Sequence, residues 1–301
     1  MLISREEPPA DEGGSGYALY EFDAREWDAV LEDLFGTSLL GQSARRRWAE
    51  GLDPSITVHR FVSAREDGEL VGVALLELPQ RDNTHLAFVS IVVPAAHRGH
   101  GIGAALFDDA AALAASEGRD NLEIWTWDTL VEPGPGTISA RQGDGAIDAA
   151  APGARFLLKR GFQLVQVDTM SGWDLPPQAG LEAAAAEARA ATPEGYRLVQ
   201  WHGDTPERWV GDAALLQVAM STDAPIGGSD LRAEVIDADR IRAIDRGRRA
   251  GGLDQLVTSV EHDGTLVGIT RLVRDTARPQ VGDQWDTLVL GHIGATGSAG
   301  S

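Results

Sequence analysis

The segment VVPAAHRGHGIGAAL (residues 92–106) leaves an apolar, β-rich run through a proline turn, crosses a glycine-rich loop and enters an alanine-rich helical pattern. Glycines at 99, 101 and 103 allow main-chain N–H groups to approach an anion closely, and the helix start behind them adds a favourable dipole. A phosphate or diphosphate is the natural occupant, and Arg98 offers it a charge-assisted contact. Such a unit belongs at the end of a strand in an α/β sheet, which already excludes all-helical and all-β architectures.

Three phosphate-loop patterns compete for this segment. A nucleoside-triphosphate loop needs Gly-Lys followed by Ser or Thr, whereas Gly103 is followed by Ala104 and Ala105. A dinucleotide fingerprint fits Gly99, Gly101 and Ala104, with Glu123 near the place of a ribose-binding carboxylate. That loop follows its strand directly, however, and here Pro94 to Arg98 intervene. The third pattern, R-x-x-G-x-G directly after a strand and proline, is met by Arg98, Gly101 and Gly103. An ordinary ligand-free turn seldom needs three alternating glycines behind an arginine.

The surrounding chain supplies the strands. ITVHRFVSA (56–64) and ELVGVALLEL (69–78) flank Asp67-Gly68, the sign of a hairpin, and LAFVSIVV (86–93) is a third strand. Helical spacing covers 24–35, and residues 101–117 read as a helix stopped at Gly118. NLEIWTW (121–127) returns to strand; after a glycine-rich stretch, ARFLLKRGFQLVQVDTM reads as a helix, a turn at Gly161 and a closing strand. Residues 1–16 lack periodicity and read as a flexible tail, 17–175 as a first domain, and 176–194 as a helical linker bounded by prolines.

Residues 195–301 repeat the pattern. VTSVEHDGTLVGITRLV matches REDGELVGVALLEL, with Gly264 and Gly268 lying 196 residues after Gly68 and Gly72. WDTLVL (285–290) takes the place of FVSIVV (88–93) one further residue on, so the chain reads as an internal duplication. After Leu290 only GHIGATGSAGS remains, and the second copy is expected to be truncated, leaving it loose, dimerised or packed on the first. One expectation is a shifted coding frame near His292. Back-translated with GC-ending codons and read from its third nucleotide, Ile293 to Ser301 gives Arg-Gly-His-Arg-Leu-Gly-Arg-Leu, close to the Arg-Gly-His-Gly-Ile-Gly of residues 98–103.

Composition narrows the function classes. The 301 residues are 43% hydrophobic, enough for full cores, and 46 acidic against 26 basic groups give a net charge of −20. Such a surface repels nucleic-acid phosphates and anionic lipid, so neither is an expected partner. Cysteine is absent, which removes disulfides, thiolate metal sites and cysteine nucleophiles. No run approaches the roughly 18 apolar residues of a membrane span, and MLISREEPPADEGGSG lacks the regions of a signal peptide, so a cytoplasmic location is expected. The histidines show no metal-ligand spacing, and no metal is expected.

The hairpin, VVPAAHRGHGIGAAL, strand NLEIWTW and the helix-Gly-Phe string FLLKRGF together resemble the GNAT superfamily of acyl-CoA-dependent N-acetyltransferases, over most of residues 56–170. The doubled layout, with Met220-Ser221-Thr222-Asp223-Ala224-Pro225 and QWDTLVL in the second copy, resembles tandem GNAT proteins of the mycothiol-synthase type. The resemblance implies a mixed α+β sheet and acetyl-CoA as cosubstrate. It places Ile91 and Val93 along pantetheine through their backbone, with Arg98, Gly99, His100, Gly101, Ile102 and Gly103 around the diphosphate. It also implies direct transfer of acetyl to a primary amine, on a small molecule or peptide; the alternative is a non-catalytic acyl-CoA-binding module.

Direct transfer needs a base for the amine, an amide to polarise the thioester carbonyl, and an acid for the thiolate. Val93 or a strand neighbour is the expected amide. His85, just before the loop strand, and Asp128, after NLEIWTW, are the candidate bases, each with a plain structural alternative as a turn residue or strand cap. Family members often place a tyrosine acid where Leu157 stands here. Asp286 is a comparable candidate in the second copy. Trp125 and Trp127 share one strand face, as core or as a wall of the acceptor cleft, and Arg45-Arg46-Arg47 reads as a solvated helix face.

Overall fold

A computed structural model describes residues 1–223 and 228–290. The string from Met220 to Pro225 therefore lies partly, and His292 to Ser301 wholly, outside the described residues.

In the first copy, strand β1 (Leu2–Glu6) is followed by helices α1 (Tyr17–Phe35) and α2 (Ala44–Glu50). Strands β2 (Thr57–Glu66), β3 (Glu69–Pro79) and β4 (Leu86–Val92), helix α3 (Ile102–Ser116) and the short strand β5 (Asn121–Glu123) come next. The sheet order is β1-β2-β3-β4-β5, antiparallel except for the parallel β4–β5 pair. Asp67 and Gly68 both take positive φ, 51° and 90°, the two-residue turn that matches strand twist. A mixed sheet with helices on both faces is the architecture the sequence leads one to expect.

The pleat divides the core in two. Val62, Ala74, Leu76 and Val89 face α3 through Ile102, Leu106 and Ala110. Phe61, Val73, Leu75 and Val92 face α1 through Leu19, Tyr20 and Phe22. Each fully buried large aliphatic side chain contributes about 1.5–3 kcal/mol relative to exposure. Gly72 sets the distance of α3: a Cβ there would meet Leu106 Cδ1 at 2.9 Å and Ile102 Cγ2 at 3.1 Å, so glycine lets the helix start seat directly on β3.

Three sequence expectations are corrected. Residues 2–6 are not part of a tail: they pair with β2 from Leu2↔Arg65 to Glu6↔Phe61, a short edge strand with too few apolar side chains to show alternation. NLEIWTW is a ladder only through Glu123, because β5 pairs with β4 from Leu86↔Asn121 to Phe88↔Glu123 and then parts from it. The closing strand after Gly161 is absent, since no strand lies alongside residues 162–170 to complete its ladder. Between these regions, β6 (Thr137–Ser139) and β7 (Ala146–Asp148) form a small hairpin, and α4 (Pro152–Leu158) packs beside α3 through Phe156 and Phe107.

An exposed helix, α5 (Gln178–Ala190), leads to the second copy. There β8 (Tyr196–His202), α6 (Val210–Asp223), α7 (Ala238–Ala250), β9 (Leu253–His262), β10 (Thr265–Asp275) and β11 (Asp283–Val289) repeat the order of β1 through β4. The sheet runs β11-β10-β9-β8, and Asp263-Gly264 repeats the positive-φ turn of Asp67-Gly68.

The copies pack through α2, and this overturns the reading of its arginines as a solvated face. Arg45 Nε donates to the Ala250 carbonyl at 2.8 Å. Arg46 lies 5.0 Å over the Trp285 ring and 3.6 Å from Asp283. Arg47 turns inward to the fully buried Asp23 at 2.7 Å. From the second copy, Arg278 donates to Asp28 on α1 at 2.5 Å and to the Ser38 carbonyl at 2.6 Å.

Candidate functional site

The divergence of β4 and β5 creates the site. Beyond Phe88 and Glu123 the two segments separate, while β4 stays paired to β3 as far as Val73↔Val92. The outer edge of β4 from Val89 onward therefore presents main-chain groups without a strand partner on that side. Ile91 and Val93 send their side chains into the α3-facing core, so any contact from them into the gap comes from the backbone.

At the end of this edge Pro94 starts a one-turn 3-10 helix, and Arg98 Nε donates to the Val93 carbonyl at 2.9 Å, tying the loop to the strand end. Gly99 and Gly101 have φ of 82° and 85°, the left-handed region that glycine enters freely, and a Cβ at either would meet nothing within 4 Å. Gly101 is the N-cap of α3 with no side-chain cap, so the first-turn N–H groups from Ile102 and Gly103 onward point into that space. Open space, uncapped amides and a helix dipole fit an anionic group such as a diphosphate. The structure thus brings Ile91, Val93, Arg98, Gly99, His100, Gly101, Ile102 and Gly103 to one end of the gap.

The two candidate bases separate. Asp128 lies five residues beyond Glu123, in the segment that has parted from β4. Burial raises its carboxyl above the usual range, opposed by the Thr126 hydroxyl at 3.5 Å and reinforced by Asp148. His85 precedes the other end of β4, whose seven residues span about 23 Å at roughly 3.3 Å each. Its Nε2 is 3.0 Å from Asp230 Oδ2 and its carbonyl accepts from Asp120 and Asn121. His85 thus holds a segment of the second copy through Asp230. Asn83 does the same, accepting from the Arg232 amide at 2.7 Å, and Glu123 accepts from Ser229 Oγ at 2.5 Å.

Asp286 is likewise no free base, because Arg271 donates to it. Trp127 packs edge-on against Phe35 of α1, with ring centroids 6.1 Å apart, and Trp125 is exposed. Among the described residues, no group of three or more potential metal ligands clusters, and no helix is long and apolar enough to cross a membrane.

Sequence reasoning missed a buried ionisable group under α1 and α2. Tyr20 Oη and His59 Nδ1 are 2.8 Å apart, and His59 Nε2 has no hydrogen-bond partner. Burial, with the Arg47 charge, pushes His59 down to about 4. Glu77, paired in register with His59, is pushed up to about 7 by burial and then by Glu50. The signal was an acid and a histidine inside otherwise apolar strands.

These shifts have opposite signs in stability. A raised carboxylate costs nothing below its ordinary 4.5 and destabilises increasingly as pH rises toward about 7. A lowered histidine costs stability as pH falls from 6.5 toward about 4. Glu77→Gln is therefore expected to be more stable than the parent in denaturant titrations at pH 8, with the advantage vanishing near pH 4. An equal difference at both pH values would show that Glu77 is not held protonated.

A parted β4–β5 pair, a glycine-rich anion loop at the strand end and an adjacent helix start together form a cleft with an anion site at one end. Residues 17–132 match the model of the acetyltransferase (GNAT) family. No curated protein sequence matches this chain. Among solved structures, a tandem GNAT protein from the clavulanic acid biosynthesis pathway, without acetyl-CoA, shares the fold. That similarity has a TM-score of 0.58 at 19% identity, over 97% of this chain and 80% of that one. An aminoglycoside acetyltransferase from an uncultured soil metagenomic sample is 20% identical over 58% of this chain and 99% of its own, with a TM-score of 0.34.

Proposed function

We propose that the first copy binds acetyl-CoA and transfers its acetyl group directly to a primary amine. The observation that carries this is the continuous track from the free edge of β4, past Val93 and Arg98, to the glycine loop and uncapped start of α3. The loop amides and Arg98 hold the diphosphate, and the backbone of Ile91 and Val93 aligns pantetheine. Acetyl-CoA supplies a thioester whose carbonyl carbon takes the amine nitrogen as the C–S bond breaks.

Asp128 accepts the proton that the amine gives up, and its raised carboxyl is better matched to this task near neutral pH than an ordinary aspartate. Leu157 stands on α4 where a tyrosine acid is often found, so the departing sulfur takes its proton from water. The acidic surface favours a cationic amine in encounter. The acceptor is a small-molecule or peptide amine, met in the cytoplasm where acetyl-CoA is at hand.

An acceptor panel of small amines, peptides and aminoglycosides, assayed for thiol release, tests the reading. Turnover with at least one acceptor is expected; tight CoA binding with no release against any would leave a binding module. In the same assay His85→Ala should leave the rate and its pH profile unchanged while hydrogen exchange at residues 229–232 accelerates. A slower rate with unaltered exchange would return His85 to the chemistry.

A further inference from the structure

Behind β5 lies a cavity of about 620 Å³, bounded by residues 121–126, α4, residues 160–166 and residues 228–231 of the second copy. It is distinct from the glycine loop, none of whose residues line it. Phe107, Leu122, Ile124, Leu157, Phe162 and Leu164 give it a large apolar wall, and Asn121, Glu123, Thr126, Arg160, Gln163 and Gln166 contribute polar groups. We propose that this cavity seats the acyl chain of thioesters longer than acetyl, so that the first copy takes neutral, medium-chain aliphatic acyl-CoAs. The inference rests on the acyl-CoA reading above and names its substrate class.

The strand geometry gives the route. A thioester running back along the free edge of β4 meets the point where β4 and β5 rejoin, at the Phe88↔Glu123 pair. No chain continues in the plane of the sheet past that pair, so a longer acyl group must leave on one face. On the α1 face, Trp27 Nε1 donates to Ser90 Oγ at 3.0 Å and Trp127 is closed against Phe35. On the other face, Leu122 and Ile124 of the parting segment pack toward the α3-facing core and also line the cavity.

The volume lies in the range of ligand pockets and far exceeds what one methyl group fills. Leu157 contributes an apolar wall at the place of the usual tyrosine. Of the charged groups that line it, Glu123 holds Ser229, Asp230 pairs with His85, and Arg160 stacks 3.8 Å over the Phe156 ring and donates to the Phe156 carbonyl. An aliphatic tail therefore packs on the apolar side chains without displacing these contacts.

The test is calorimetric titration of the full chain with CoA, acetyl-CoA, butanoyl-CoA, hexanoyl-CoA and octanoyl-CoA. Hexanoyl-CoA is expected to bind at least about tenfold more tightly than acetyl-CoA, since each buried methylene adds to the transfer gain. Leu164→Trp, and independently Ile138→Trp, should abolish that gain and leave acetyl-CoA affinity as in the parent, which also reports that the variant is folded. Binding of CoA and acetyl-CoA with affinities flat or falling along the series would overturn the cavity assignment alone. No binding of any of the five ligands would overturn the acyl-CoA reading and this inference with it.

Discussion

Gly101→Val is expected to weaken acetyl-CoA binding by about ten- to a hundredfold while the protein remains folded. Two effects combine. At φ 85° and ψ −3°, Gly101 occupies the left-handed region, where a β-branched residue costs on the order of 1–3 kcal/mol. Its Cβ would also project into open space, which is where an anion must come to reach the α3 amides. Gly101→Ala should fall between parent and valine, because alanine carries the strain with less bulk. Thermal melts establish folding, and competition binding reads the affinity. A folded valine variant that binds like the parent would remove the diphosphate from this loop.

The second large effect is at Asp128. Asp128→Asn is expected to lower kcat by about 10²-fold or more, the usual contribution of a positioned base, with acetyl-CoA affinity unchanged. The pH profile gives the sign. Burial raises the folded-state carboxyl, the base works only when ionised, and the parent rate should therefore fall as pH drops through that raised value. The asparagine variant should lose this acidic limb. A parallel drop at every pH, with the limb intact, would make Asp128 a structural residue near Thr126 and move the search for the base elsewhere.

Much of this architecture is legible in short strings. Asp67-Gly68 and Asp263-Gly264 declare two hairpins because only a few residues accept positive φ at both turn positions. Their spacing declares the duplication, and residues 98–103 declare the anion loop. What was not legible depended on neighbours. LISRE has no pattern of its own, and it becomes a strand only because β2 offers an edge. FQLVQV alternates like a strand, yet β5 stops at Glu123 and residues 228–231 of the second copy border the cavity beside it.

Charged residues were the other gap. Arg45, Arg46 and Arg47 look alike in sequence, and each has a different partner, one of them the buried Asp23. His85 stands one residue before β4, and its pairing with Asp230, 145 residues further on, is a contact no motif encodes. Asp128 lies outside any ladder, in the segment that parts from β4 after Glu123, so no strand register in the sequence points to it. Duplication also accounts for the role His85 does have, since Asn83, His85 and Glu123 all bind the 229–232 segment and so join the copies.

The account stands most directly on the number and location of acetyl-CoA sites. Titration of the full chain should give one site per molecule, protected by ligand from hydrogen exchange at residues 98–104 and along β4, with no protection in β9 through β11. Two equivalent sites, a site in the second copy, or no binding at all would contradict it.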